Sequence, residues 1–128
     1  MNGVVVVDDD LNYLELVSMV LTGSCGVDGV RTFGDADAAL RHLAGGARPQ
    51  LVLLDLHMPR SHGLQVLHQL RSLHRQVPVA FLSGAVSEQE RADCLAAGAV
   101  AVLTKPVGYA ELVMRLRALV EALRPPLQ

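Results

Sequence analysis

The chain has 128 residues, enough for one domain with a real core and too few for two. Hydrophobic residues make up 51% and charged residues 19%, which excludes a disordered chain, and a net charge of −2 supplies no basic surface for nucleic-acid phosphates. The N-terminus lacks the features of a signal peptide and no apolar run approaches the ~18 residues of a membrane span, so a soluble, cytoplasmic protein is expected.

Short apolar runs alternate with helical patterns along the whole chain. Val4–Val7 is an unbroken β-branched run, as in a strand buried on both faces. Leu11, Leu14, Val17 and Leu21 then recur at helical spacing. Val27–Phe33 can make a second strand. Asp35 is placed to cap a helix through Ala38, Leu40 and Leu43 that ends at Gly45-Gly46. Leu51–Leu54 is a third strand, Leu64, Leu67 and Leu70 mark the next helix, and Val79–Leu82 is a fourth strand. Ser87 and Glu90 form a capping box for a helix that Gly98 stops. The small residues Ala92-Asp93-Cys94-Leu95-Ala96-Ala97 predict that this helix is thinly packed and easy to shift. Val100–Leu103 is the fifth strand; Leu112, Val113, Leu116, Leu119, Val120 and Leu123 stripe a final helix closed by Pro125-Pro126. Cys25 and Cys94 have no CxxC partner and read as reduced small hydrophobes.

Repeated β/α units with short loops predict an α/β fold: a parallel sheet with right-handed crossovers and helices on both faces. Ligands of such folds sit beyond the carboxyl ends of the strands. The first strand ends in Asp8-Asp9-Asp10. Adjacent carboxylates repel, so a compensating cation is expected, although Asp10 by itself is a good N-cap for the following helix. The third strand ends in Asp55, the fourth in Ser83-Gly84, and the fifth in Thr104-Lys105-Pro106. Taken singly, Asp55 is a turn residue and Lys105 a solvated side chain. Together they assemble acids, a hydroxyl and an ammonium at one place. Hard cations such as Mg²⁺ prefer such oxygens, and phosphoryl transfer needs mainly positioning and charge neutralisation.

The motifs VVVVDDD, LVLLDLHMP, FLSG and GAVAVLTKP, in this order, resemble a response-regulator receiver domain over the whole length. That resemblance implies a three-layer, doubly wound, flavodoxin-like fold with strand order 2-1-3-4-5, over residues 1–124, followed by a C-terminal tail at 125–128. It implies that Asp55 accepts a phosphoryl group. Mg²⁺ or Mn²⁺ would be held by Asp8, Asp9, Asp55 and the backbone carbonyl of His57. Ser83 and Lys105 would contact the phosphoryl oxygens, with the Lys105–Pro106 peptide cis to aim the ammonium. The implied partners are a sensor histidine kinase or histidine phosphotransfer protein, and an output domain or protein on the face of helix 4, strand 5 and helix 5. A homodimer is compatible; direct nucleic-acid binding by this domain and membrane association are not expected. His57 and Ala85 would flank the attacking water, which implies slow autodephosphorylation.

The chain departs from the family pattern at three places. Val102 stands where an aromatic is usual, Val107 where Phe is frequent, and Arg60-Ser61-His62-Gly63 lacks the usual acid. With Val102 short and χ1-restricted, the signal is expected to leave through the loop after Ser83-Gly84 and the helix from Ser87 to Ala97.

Other readings have weaker support. His57, His62, His68 and His74 lack the i, i+4 spacing of a helical metal site and read as solvated side chains. A haloacid-dehalogenase-like aspartyl-phosphate hydrolase needs a second Asp where His57 stands. A flavin-binding module needs a phosphate cradle where Asp8-Asp9-Asp10 would repel the ligand.

Overall fold

The computed structural model describes residues 3–73 and 76–124; His74, Pro125-Pro126 and the 125–128 tail lie outside them. In chain order its main elements are β1 (Val4–Val7), α1 (Leu11–Gly23), β2 (Val30–Phe33), α2 (Ala36–Ala44), β3 (Leu51–Leu54), α3 (Gly63–Leu73), β4 (Val79–Ser83), α4 (Glu88–Ala96), β5 (Ala101–Thr104) and α5 (Tyr109–Leu123). The five strands form one parallel sheet in the order β2-β1-β3-β4-β5. This is the expected three-layer, doubly wound arrangement. Between β3 and α3 a short antiparallel ribbon pairs His57 with His62 and Met58 with Ser61.

Alternation along the strands divides the core into two layers. Val4 and Val6 pack with Leu14, Val17, Val20 and Leu21 of α1 and with Leu112, Leu116 and Val120 of α5. Val5 and Val7 face the opposite way, with Ala39 and Leu43 of α2 and Val66, Leu67 and Leu70 of α3. The fourth helix is the thin one. Cys94 is its single buried side chain. Arg91 Nη1 donates to the Val102 carbonyl at 2.5 Å, and the start of the helix is held by a capping box between Ser87 and Glu90. No helix among the described residues is long and apolar enough to cross a membrane.

Local signals located the caps correctly. Asp10 accepts the N–H groups of Asn12 and Tyr13, and Asp35 accepts that of Ala38. Gly98, at φ +102, ends the α4 segment with a backbone few other residues adopt. Strand limits differ from the apolar runs. Gly26 turns the chain at φ +66, and Val27 donates to the Leu21 carbonyl, so β2 begins only at Val30. Val27 is buried beneath α1 instead of pairing in the sheet. The fifth strand begins at Ala101 rather than Val100, and the fourth extends to Ser83.

Candidate functional site

The sheet brings the carboxyl ends of β1, β3, β4 and β5 to one edge, and each contributes a polar residue there. Asp8 follows Val7, and its N–H donates to the Phe33 carbonyl at 3.1 Å. Asp55 follows Leu54, with its N–H on the Val7 carbonyl at 3.0 Å. These bonds extend the sheet pairing by one residue and fix where both carboxyls emerge. The carboxylate oxygens of Asp8, Asp9 and Asp55 lie within 4.8 Å of one another, as the acid pattern anticipated. Asp8 and Asp55 are buried and Asp9 is exposed, so the cluster has one wet side.

Three polar groups contact the Asp55 carboxylate. Oδ1 accepts the Ser83 hydroxyl at 2.8 Å and the His57 N–H at 3.3 Å. Oδ2 faces the Lys105 ammonium at 3.8 Å. The ammonium itself sits closer to Asp8, 2.8 Å from Oδ2. Burial, and then the neighbouring Asp8 charge, push the Asp55 carboxyl above its ordinary pKa; Ser83, Lys105 and the His57 N–H oppose them and do not cancel the rise.

The Lys105–Pro106 peptide is trans, contrary to the cis bond that the resemblance implied; no described peptide is cis. Trans is the lower-energy form of X–Pro by about 0.5–1 kcal/mol. The four-methylene stem of Lys105 reaches the acids without the cis form.

Three features of the site were not read from the sequence. The Tyr13 ring, in the first turn of α1, lies under the Lys105 ammonium, with Nζ 4.4 Å from its centroid. Its hydroxyl is buried without a hydrogen-bond partner among the described residues. Burial and the charges of Asp8 and Asp55 push its pKa up to about 12. Its place three residues after Asp10, in the turn facing the strand ends, was the available signal. Gly63 packs directly behind Asp55, with its N–H on the Leu56 carbonyl at 2.7 Å. Finally, His57 and His62 are not separate solvated side chains. Both approach Glu90, whose N-terminal position in α4 brings it over the ribbon. The His57 imidazole reaches Glu90, at the position where a haloacid-dehalogenase-like hydrolase would need an acid. Cys25 and Cys94 are free and buried, as expected.

A family model of the response regulator receiver domain matches residues 4–117. The chain belongs to the response-regulator receiver family. The receiver is 40% identical over 118 residues to the probable transcriptional regulatory protein TcrX of Mycobacterium tuberculosis, covering 91% of this chain and 48% of that protein. It is 38% identical over 124 residues to the response regulator MprA of Mycobacterium avium, covering 95% and 52%. The chain thus spans about half the length of the curated relatives it matches. Among solved structures, it superposes on the receiver domain of the Francisella response regulator 1452 with a TM-score of 0.77 at 28% identity, covering 94% of this chain and 97% of that one. On the phosphorylated cyanobacterial phytochrome response regulator RcpA the TM-score is 0.82 at 26% identity, covering 93% and 91%. Receivers of this family are signalling domains of two-component systems, and that is the function of this fold here.

Proposed function

We propose that Asp55 takes a phosphoryl group from the phosphohistidine of a sensor histidine kinase or a histidine phosphotransfer protein, in the cytoplasm, with Mg²⁺ or Mn²⁺. The observation that carries this reading is the meeting of three carboxylates, the Ser83 hydroxyl and the Lys105 ammonium at four strand ends. Oδ1 of Asp55 already holds two donors, which leaves Oδ2 as the nucleophile. Its attack forms the O–P bond as the P–N bond to the donor imidazole breaks. Lys105 draws the incoming phosphoryl oxygens toward the site, and Ser83 releases Asp55 to donate to one of them.

The acid cluster fits a hard cation. Its donors are all oxygens, and two of the carboxylates, Asp8 and Asp55, are buried; burial first, and the Asp8 charge after it, raise the Asp55 pKa. Asp8, Asp9, Asp55 and the His57 carbonyl would hold the ion, which would neutralise charge on the phosphoryl group. Arg41 and Arg60, lining a cleft of about 360 Å³ beside Asp9, supply positive charge on the approach. Mg²⁺ should therefore raise the melting temperature of the receiver, by up to about 2.7 kcal/mol of stability at a hundredfold excess over Kd. Asp9 is exposed, so Asp9→Asn will fold and lose most of that response. Identical Mg²⁺ responses of the two proteins would remove the cluster as the metal site.

The phosphorylated state would act on an output domain or partner through the α4–β5–α5 face, with self-dephosphorylation as the return step. The first movement falls to α4. Ser83 is bound to Asp55 at 2.8 Å and must shift when a phosphoryl group arrives. The loop and helix after it are held by few buried contacts. Val102, 5% exposed and packed within the core, cannot swing as an aromatic would. In hydrogen exchange with and without beryllofluoride, Gly84–Glu90 should change protection far more than Val102. Changes confined to β5 and α5 would place the route elsewhere.

A further inference from the structure

Beside the acid cluster lies a second group of side chains with different chemistry. The Pro59-Arg60 turn folds the segment back so that His57 and His62 are directly opposite in the ribbon. Cross-strand partners project from the same face. Their rings meet edge-on with centroids 5.3 Å apart. From α4, one oxygen of Glu90 stands 3.0 Å from His57 Nε2 and 3.5 Å from His62 Nε2. Its other oxygen accepts the Ser87 N–H at 2.9 Å, so the capping box holds the carboxylate in place. All three ligand atoms lie within 4.8 Å of one another.

These separations are those of ligands on one small ion. Donors bound at about 2.0–2.1 Å around a tetrahedral centre stand about 3.3 Å apart. The observed 3.0 and 3.5 Å fall on either side of that value. Two imidazoles with one carboxylate suit a borderline d-block cation, whereas Mg²⁺ takes oxygen donors and water. The two histidine side chains are 47% and 44% exposed, which leaves room for a water in a fourth position.

We propose that His57, His62 and Glu90 form a Zn²⁺ site, separate from the carboxylate cluster around Asp55. One rearrangement accompanies binding. The Leu64 N–H donates to His62 Nδ1 at 3.2 Å, so the neutral ring carries its proton on Nε2. That proton moves to Nδ1 through solvent as the ion takes Nε2, and the exposed Leu64 N–H turns to water. No proton is released overall from the neutral ring. The ion ties the ribbon after Asp55 to the start of α4, spanning the loop that follows Ser83. Zn²⁺ occupancy and phosphorylation would then be reciprocally coupled; this consequence rests on the proposed function, whereas the binding does not.

Co²⁺ is the probe, since tetrahedral Co²⁺ absorbs strongly in the visible range and octahedral Co²⁺ does not. The tag-free full chain is titrated with Co²⁺ in saturating Mg²⁺, which fills the acid cluster, and Zn²⁺ is then added. Wild type should develop one equivalent of tetrahedral Co²⁺ colour that stoichiometric Zn²⁺ displaces. His62→Ala, altering an exposed side chain outside the phosphoryl site, should weaken binding at least tenfold, and Asp9→Asn should leave it unchanged. The proposal is overturned if wild type shows no such colour, which makes the cluster an ion pair only. It is equally overturned if His62→Ala binds like wild type, or if Asp9→Asn alone loses the signal. Failure of Asp55 phosphorylation would not alter any of these readings.

Discussion

Replacing Asp55 with Asn will give a folded receiver that takes up no phosphoryl group and melts at a higher temperature than wild type in metal-free buffer. The first half follows from the nucleophile: an amide has no oxygen able to form the acyl phosphate. The second half follows from the raised pKa of Asp55, caused first by burial and then by Asp8. A carboxyl whose pKa is higher folded than unfolded favours folding most when protonated. That contribution is lost as pH rises from the ordinary carboxyl range through the folded pKa. At neutral pH, above the ordinary carboxyl range, this side chain therefore costs stability. Asn keeps an oxygen to accept the Ser83 hydroxyl and the His57 N–H, now on Oδ1, and carries no charge. The gain should be a few degrees at pH 7, shrinking as the pH falls into the carboxyl range and as Mg²⁺ is added. Intact-mass analysis after incubation with a small-molecule acyl phosphate and Mg²⁺ tests the first half. Equal labelling of the variant would place the phosphoacceptor elsewhere. A lower melting temperature of Asp55→Asn in chelator at pH 7 would contradict the electrostatic account.

Gly63→Ala should be among the most damaging single-methyl additions in the chain. A Cβ at this position would lie 2.6 Å from the Asp55 carbonyl oxygen, 2.8 Å from Leu56 Cα and 2.8 Å from Phe81 Cε1. Two of these atoms are backbone and the third is a fully buried ring. None can swing aside, so the start of α3 must separate from the segment after β3, breaking the Gly63–Leu56 hydrogen bond. Overpacking of this kind costs about 1–3 kcal/mol and occasionally more. At the upper end the melting temperature falls by roughly 10 °C. Because the displaced segment carries Asp55 and the His57 carbonyl, the Mg²⁺ response should weaken as well. Gly84→Ala is the control for stability, since nothing lies within 4 Å of its added Cβ. If Gly63→Ala melts within a degree of wild type, the close approach behind Asp55 is not a constraint.

The fold and the gathering of most of the residues of the proposed phosphoryl site were legible in the sequence because their signals are local. Four consecutive valines need burial on both faces, Asp10, Asp35 and Ser87 supply caps within three residues of the groups they bond, and α/β topology carries each strand-end residue to the same edge. Asp8, Asp55, Ser83 and Lys105 could thus be gathered into one site before any distance was known. The thin packing of α4 was equally plain from its small residues. Contacts set by side-chain reach or by the docking of one element on another could not be found this way. Whether Lys105 needs a cis peptide depends on how far its stem extends, and the tertiary structure answers with a trans bond and a 2.8 Å contact to Asp8. The stacking of Tyr13 on that ammonium depends on the rotation of α1 over the sheet. The meeting of His57, His62 and Glu90 depends on the register of a short ribbon and on where α4 begins. No periodicity of the chain relates these residues, because their separation is fixed by packing between elements rather than by the repeat of a helix or a strand.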